Sequence, residues 1–299
     1  MAEDQKTKPK PEKKKAARID LATLGGLALA MLGILGGLLL EGGKIQDIAQ
    51  VTAALIVLGG TLGAVMVSMP LEVLKRATKR LVAVFLDSTL PLDSMLEEII
   101  GYATSARKSG LVSLEQAAES VADPFLKKAL TLAVDGTDLQ EIRNMLMLEI
   151  EMEEAHVDAE AKVFEGAGGY APTIGIIGAV LGLIQVMKNL ANIDQVGHGI
   201  AVAFVATVYG VGLSNLFFLP AAQKIRARAH AETQRKEMMV EGVSGIVEGL
   251  NPKLIRLKLE AYTRGVVATR AKSPKKSKSD APANASPDPA SARAPGVQA

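Results

Sequence analysis

The chain has 299 residues, 48% of them hydrophobic and 22% charged, with a formal net charge of +2, no Cys and no Trp. The missing cysteines exclude disulfides and thiolate metal sites. An apolar average of this size does not by itself separate a soluble from a membrane protein. The distribution does. Four stretches carry no Asp, Glu, Lys, Arg or His: Leu21–Leu40, Ile48–Leu71, Gly166–Met187 and Gly199–Gln223. A hydrocarbon core is crossed by about 20 apolar residues in a helix, and one central charge costs roughly 2.5–3.5 kcal/mol on insertion scales. All four runs meet the length, so the sequence predicts an all-α integral membrane protein with four transmembrane helices and a helical cytoplasmic domain.

Residues 1–19 form a basic arm that includes Lys6, Lys8, Lys10, Lys13, Lys14, Lys15 and Arg18. The apolar run after it exceeds a signal-peptide core and no small-residue cleavage site precedes Glu41, so it is expected to remain as the first span. Residues 20–71 hold spans one and two, joined by Glu41–Asp47 with a single Lys. Lys75, Arg76, Lys79 and Arg80 follow span two, and Lys224, Arg226 and Arg228 follow span four. Positive residues stay inside, which puts both termini and the middle segment 72–165 in the cytoplasm of a bacterial inner membrane protein. Leu74, Leu81, Val82 and Phe85 recur at helical spacing, predicting that span two continues inward. Another helix is expected from about Ser94, after a turn marked by Asp87, Ser88 and Pro91. The acidic pattern from Leu139 to Phe164 runs without Pro into the third span, predicting one long helix. Spans three and four fill 166–223, cytoplasmic helices follow over 224–265 with a break at Gly249–Pro252, and 266–299 has the polar composition of a disordered tail.

No phosphate loop, metal-ligand cluster or nucleophile elbow stands at motif spacing, so no enzyme, cofactor or nucleic-acid partner is indicated. His156, His198 and His230 are scattered, and the acidic run reads as a helix face paired with neighbouring bases. The spans contain no carboxylate or histidine, the groups that normally relay protons through a bilayer. If protons move here, the titrating group belongs to another chain. Pro172, Gly175, Ala179 and Gly182 fall on one helical face, and Thr207, Gly210 and Ser214 form a similar stripe. Helix packing alone accounts equally well for Gly175, Gly182 and Gly210. Thr207 offers a hydroxyl in hydrocarbon, and each of Pro172 and Pro220 frees a backbone carbonyl.

Four motifs in order resemble the MotA/PomA family of flagellar stator proteins. They are ARKSGLVSLE at 106–115, EGAGGYAPTIGIIGAVLGLI at 165–184, AFVATVYG at 203–210 with Pro220 ten residues on, and EGVSGIVEGLNP at 241–252. The resemblance runs from about Asp20 to Leu259. It implies a homopentamer around two copies of a MotB-like single-span partner, whose aspartate binds and releases the ion. It also implies that Pro172, Ala179, Thr207, Tyr209 and Pro220 line the ion channel, and that Arg107, Lys108 and Glu115 meet a FliG-like rotor protein. Membrane lipid surrounds such a ring, and one charge crossing 100 mV supplies about 2.3 kcal/mol. Sodium-type members carry Thr where this chain has Ala179, and often where it has Ala206, so protons are the expected ion. The alternative is a TolQ/ExbB-like energiser, which shares the third-span signature but usually has three spans.

Overall fold

The computed structural model describes residues 18–19, 21–84, 86–87 and 92–271, with side chains over 22–82 and 92–263. The basic arm through residue 17, Phe85, the turn at 88–91 and the Lys-rich tail from residue 272 lie outside the described residues. In chain order the helices are α1 (Leu21–Leu40), α2 (Ile45–Ile48), α3 (Val51–Ser68), α4 (Leu71–Val84) and α5 (Leu92–Ser109). A 3-10 turn (Leu111–Leu114) leads to α6 (Glu115–Ser120), α7 (Pro124–Val134) and α8 (Leu139–Lys188). Then come α9 (Ile193–Leu213), a π-helical turn (Ser214–Phe218), α10 (Leu219–Val247) and α11 (Pro252–Ala271). The one strand pairing among the described residues is a two-residue antiparallel clasp, β1 (Arg18–Ile19) on β2 (Leu86–Asp87). The fold is all-α. Among the described residues, four helices are long and apolar enough to cross a membrane: α1, α3, α8, and α9 with its continuation.

The second apolar run does not continue as one helix. Pro70 crowds the residue before it out of the helical region, so Met69 is extended at φ −132°, ψ 143° and α3 stops at Ser68. The Val73 and Leu74 amides donate to the Pro70 carbonyl and restart the chain as α4. There Ala77 is buried while Lys75, Arg76 and Lys79 face outward. By contrast, the acidic stretch and the third apolar run are a single helix. Asp138 caps α8 by accepting from the Gln140 amide at 2.8 Å, and 50 residues follow without a break through Pro172. At 1.5 Å per residue this is a rod of about 75 Å.

The helix of span four begins at Ile193, ahead of the expected Gly199, because Asn192 caps it through the Asp194 and Gln195 amides. It passes into α10 by way of the π-turn, where the Leu219 amide reaches back five residues to the Ser214 carbonyl. Pro220 has no amide hydrogen and its ring would crowd the carbonyl four residues earlier. The wider turn just before it removes that conflict without ending the helix. The chain then reverses at Gly249, whose φ of +70° favours glycine. The Leu250 amide closes on the Gly245 carbonyl at 3.0 Å. From Pro252, α11 runs to Ala271, past residue 266, where the tail is expected to begin.

Among the described residues, three apolar clusters hold these helices. One joins α3 to α9 through Ala53, Val57, Val202, Val205 and Ala206. A second joins α4, the middle of α8 and the start of α10. The third, and largest, buries Ile99, Leu114, Leu126, Leu130, Ile142, Leu146, Met238, Met239 and Leu259 in a polar-surfaced bundle of α5–α7, α11 and the ends of α8 and α10.

Candidate functional site

Along the apolar half, α8 and α9 approach at backbone distance. A Cβ placed on Gly210 would stand 2.5 Å from the Ala171 carbonyl oxygen, and one on Gly175 would stand 2.9 Å from that of Ala206. Further out, a Cβ on Gly182 would meet the Gly199 carbonyl oxygen at 2.7 Å. Gly175, Gly182 and Gly210 therefore pack helices within this chain. The buried row on α8 is Ala171, Gly175, Gly178 and Gly182, so the face containing Pro172 and Ala179 lies a quarter turn away, and both are half-buried. On α9 the facing row is Gly199, Ala203, Ala206 and Gly210. The 4-3-4 spacing of small residues that both rows share is the signal for Gly178 on α8 and Gly199 on α9, neither of which is among the sequence candidates.

At about 100° per residue, Pro172 and Ala179 on α8 and Thr207 on α9 fall on the same flank of this seam, away from α3. The flank is otherwise apolar and open: Ile176 is 58% exposed and Phe204 72%. Thr207 donates its hydroxyl to the Ala203 carbonyl at 3.2 Å, which leaves its oxygen lone pairs as the polar feature of the surface. Tyr209 stands roughly 200° from Thr207 around the helix and so cannot share that flank. It turns toward α3, packs beside Ala53 and Val57, and donates its hydroxyl to the Ile48 carbonyl at the end of α2. Ala206 is fully buried against Gly178. Pro220 is exposed in a separate groove between α1 and the start of α10, beside Thr23, Gly26, Phe217 and Lys224.

Below the seam, five acids of α8 are met by bases, four of them from neighbouring helices alone and Asp158 also by Lys162 of α8 itself. Glu149 meets Lys128 at 2.6 Å, Glu153 meets Lys236, Glu160 meets Arg80, and Arg226 bridges Asp158 at 2.9 Å and Glu165 at 2.6 Å. Hydrogen bonds from Lys162 and then Arg226 hold the Asp158 carboxyl below the usual carboxylate range, and Arg226 does the same for Glu165. The sequence made the acidic face visible, as a paired one. It did not show which bases would answer it.

At the far end, Arg107 and Lys108 occupy the last turn of α5 and Glu115 the first turn of α6, all exposed. Gly110, at φ +81°, lets the chain reverse between them. Leu114, fully buried, pins the turn to the core. None of the three charges forms an ion pair among the described residues. They make one outward surface, of mixed charge.

Residues 117–238 match the MotA/TolQ/ExbB proton channel family, and residues 24–107 match the region described as Motility protein A N-terminal. Motility protein A of Bacillus subtilis is 36% identical over 245 residues, covering 82% of this chain and 91% of its own. The solved C. jejuni MotAB structure superposes with a TM-score of 0.79 at 33% identity, covering 82% of this chain and 96% of that one. The flagellar MotAB stator complex of Bacillus subtilis gives 0.77 at 34% identity, over 84% and 99%. With matches spanning both halves of the molecule, the chain belongs to the Motility protein A branch of the MotA/TolQ/ExbB proton channel family, as a flagellar motor stator subunit.

Proposed function

We propose that this chain is the wall and lever of a proton channel completed by a MotB-like single-span protein that carries the ion-binding aspartate. The observation that carries the reading is the open flank around Pro172, Ala179 and Thr207: an exposed apolar face with a hydroxyl at its centre and no titratable group of its own. A proton carrier there has to come from a second chain, and the similar chains were solved in MotAB complexes. The assembly is a ring, with five copies around two partner helices, in the bacterial inner membrane. Both termini and the polar bundle face the cytoplasm, where Arg107, Lys108 and Glu115 engage a FliG-like rotor protein. Pro220 acts at the cytoplasmic end of span four. Tyr209 holds the outer loop instead of lining the path.

Protons are the carried ion. A desolvated sodium ion needs several oxygen ligands, and Ala179 removes a hydroxyl from the open flank. Ala206, buried in packing, does not bear on the choice. The test is the complex with its partner in sealed vesicles, followed with a pH-sensitive dye under an imposed potential. Proton uptake independent of external sodium, lowered at least tenfold by Thr207→Val, is the expected result. Uptake that requires sodium overturns the ion, and no ion flux with the partner present overturns the channel. The TolQ/ExbB-like reading is disfavoured by the match of residues 24–107 to the Motility protein A N-terminal region.

A further inference from the structure

The surface formed by Arg107, Lys108 and Glu115 is built on short elements that would have little rigidity alone. α6 is six residues long and the turn before it is four. These elements leave toward α7 through Val121–Asp123, and there a single carboxylate does two jobs. One oxygen of Asp123 caps α7, accepting from the Phe125 amide at 2.9 Å and the Leu126 amide at 3.2 Å. The other receives the Arg235 guanidinium of α10 at 3.2 Å. Both side chains are well covered, at 10% and 17% exposure, unlike the more open pairs higher on α8. The next residue, Lys236, is 8% exposed, pairs with Glu153, and lies 5.2 Å from the centre of the Phe125 ring. Consecutive cations on α10 thus both reach the first turn of α7, Arg235 at its capping carboxylate and Lys236 over the Phe125 ring.

These contacts matter because of where α10 comes from. It continues span four through the π-turn without a loop. Any rotation or tilt of span four is therefore delivered to Arg235 and Lys236. The apolar core that also joins α7 to α10 is non-directional and tolerates sliding. A carboxylate with both oxygens committed fixes rotation about the helix axis as well as distance. Arg235 has a second, longer contact with Glu232 at 3.5 Å, on its own helix, which braces the guanidinium toward Asp123.

Resting on the stator reading above, we propose that Asp123 and Arg235 are positioning residues for torque transfer: their pair is the joint through which span four sets the orientation of the Arg107–Glu115 surface. It acts on the rotor contact and not on the ion path. Substitution should uncouple the two.

Asn caps helices as well as Asp does, so Asp123→Asn keeps α7 intact and removes only the charge. Arg235→Met keeps most of the buried stem and removes the guanidinium. Each variant, with its partner, is tested in two ways: proton uptake per complex in vesicles, and stall torque per stator on a bead-loaded motor. The expected result is uptake within twofold of the native complex, with torque lowered at least threefold. The double variant should be no worse than the worse single, and Arg235→Lys should recover at least half of the torque. Unchanged torque overturns the proposal. So does a parallel loss of uptake, torque and membrane level, which marks the pair as merely structural. If the native complex itself neither conducts nor turns the rotor, the stator reading fails and not the joint.

Discussion

The two halves of α8 are held by opposite means. Above Glu165 the helix meets α9 through glycines and alanines, with carbonyl oxygens where side chains would otherwise stand. Below it, the same helix meets α4, α7 and α10 through long side chains that end in ion pairs. In hydrocarbon there is no apolar driving force between helices, so close backbone approach supplies the attraction. Beside water, burial supplies it and charges select the partner. One continuous helix therefore crosses from a contact that tolerates no added atom to one that tolerates many.

The largest test of that contrast is Gly210→Val. Its side chain would start 2.5 Å from the Ala171 carbonyl oxygen, against backbone that cannot move aside. Overpacking of this kind costs about 3 kcal/mol or more, so the variant should fail to accumulate in the membrane. Accumulation and a melting temperature equal to the native complex would show that the seam is loose. Arg226→Gln probes the other half. It strips Asp158 and Glu165 of a shared partner, yet exposed pairs contribute only about 0–1 kcal/mol each, so the complex should assemble and melt a few degrees lower.

That loss should also depend on pH. Both carboxyls titrate below their ordinary values of 3.8 and 4.5. Their contribution is therefore full above those values and disappears as the pH falls through the depressed ones. Native and Arg226→Gln complexes should differ in thermal stability at pH 7 and converge only as the pH falls below both ordinary values and through the depressed ones. A gap that persists in acid would assign the effect to packing by the Arg stem. The smallest effect is expected from Tyr209→Phe, which removes the hydrogen bond to the Ile48 carbonyl. A single such bond is worth about 0.5–1.5 kcal/mol net. Amide exchange over residues 41–50 should quicken while proton uptake stays native. Reduced uptake would return Tyr209 to the ion path.

Much of the architecture was legible because charge and apolarity are one-dimensional signals. Four charge-free runs became four candidate spans, and the uninterrupted acidic-to-apolar stretch became α8. Pro70 was equally visible, but a run scored by charge passes through a proline unmarked, so the break between α3 and α4 was read as continuity. Faces were harder. Pro172-Gly175-Ala179-Gly182 and Ala171-Gly175-Gly178-Gly182 are both helical rows that share two glycines and differ in mean direction by about 50°, and only the position of α9 chooses between them. The same limit applied to Tyr209, whose neighbour α2 is 161 residues away in sequence. The Asp123–Arg235 joint is beyond any local pattern, since a capping Asp looks the same with or without a distant guanidinium.

The π-turn keeps these two regimes in step. From Ala206 the buried positions advance by four residues three times running, through Gly210 and Ser214 to Phe218. A regular helix lying along a straight neighbour would mix threes with fours, so the surplus residue re-sets the phase of everything after it. Without it, α10 would enter the bundle turned by about 100°, with Arg226, Arg235 and Lys236 aimed past their carboxylates while the glycine seam stayed as it is. The frame in which the polar half reads the membrane half is thus written in a single irregular turn, next to the one proline in α10.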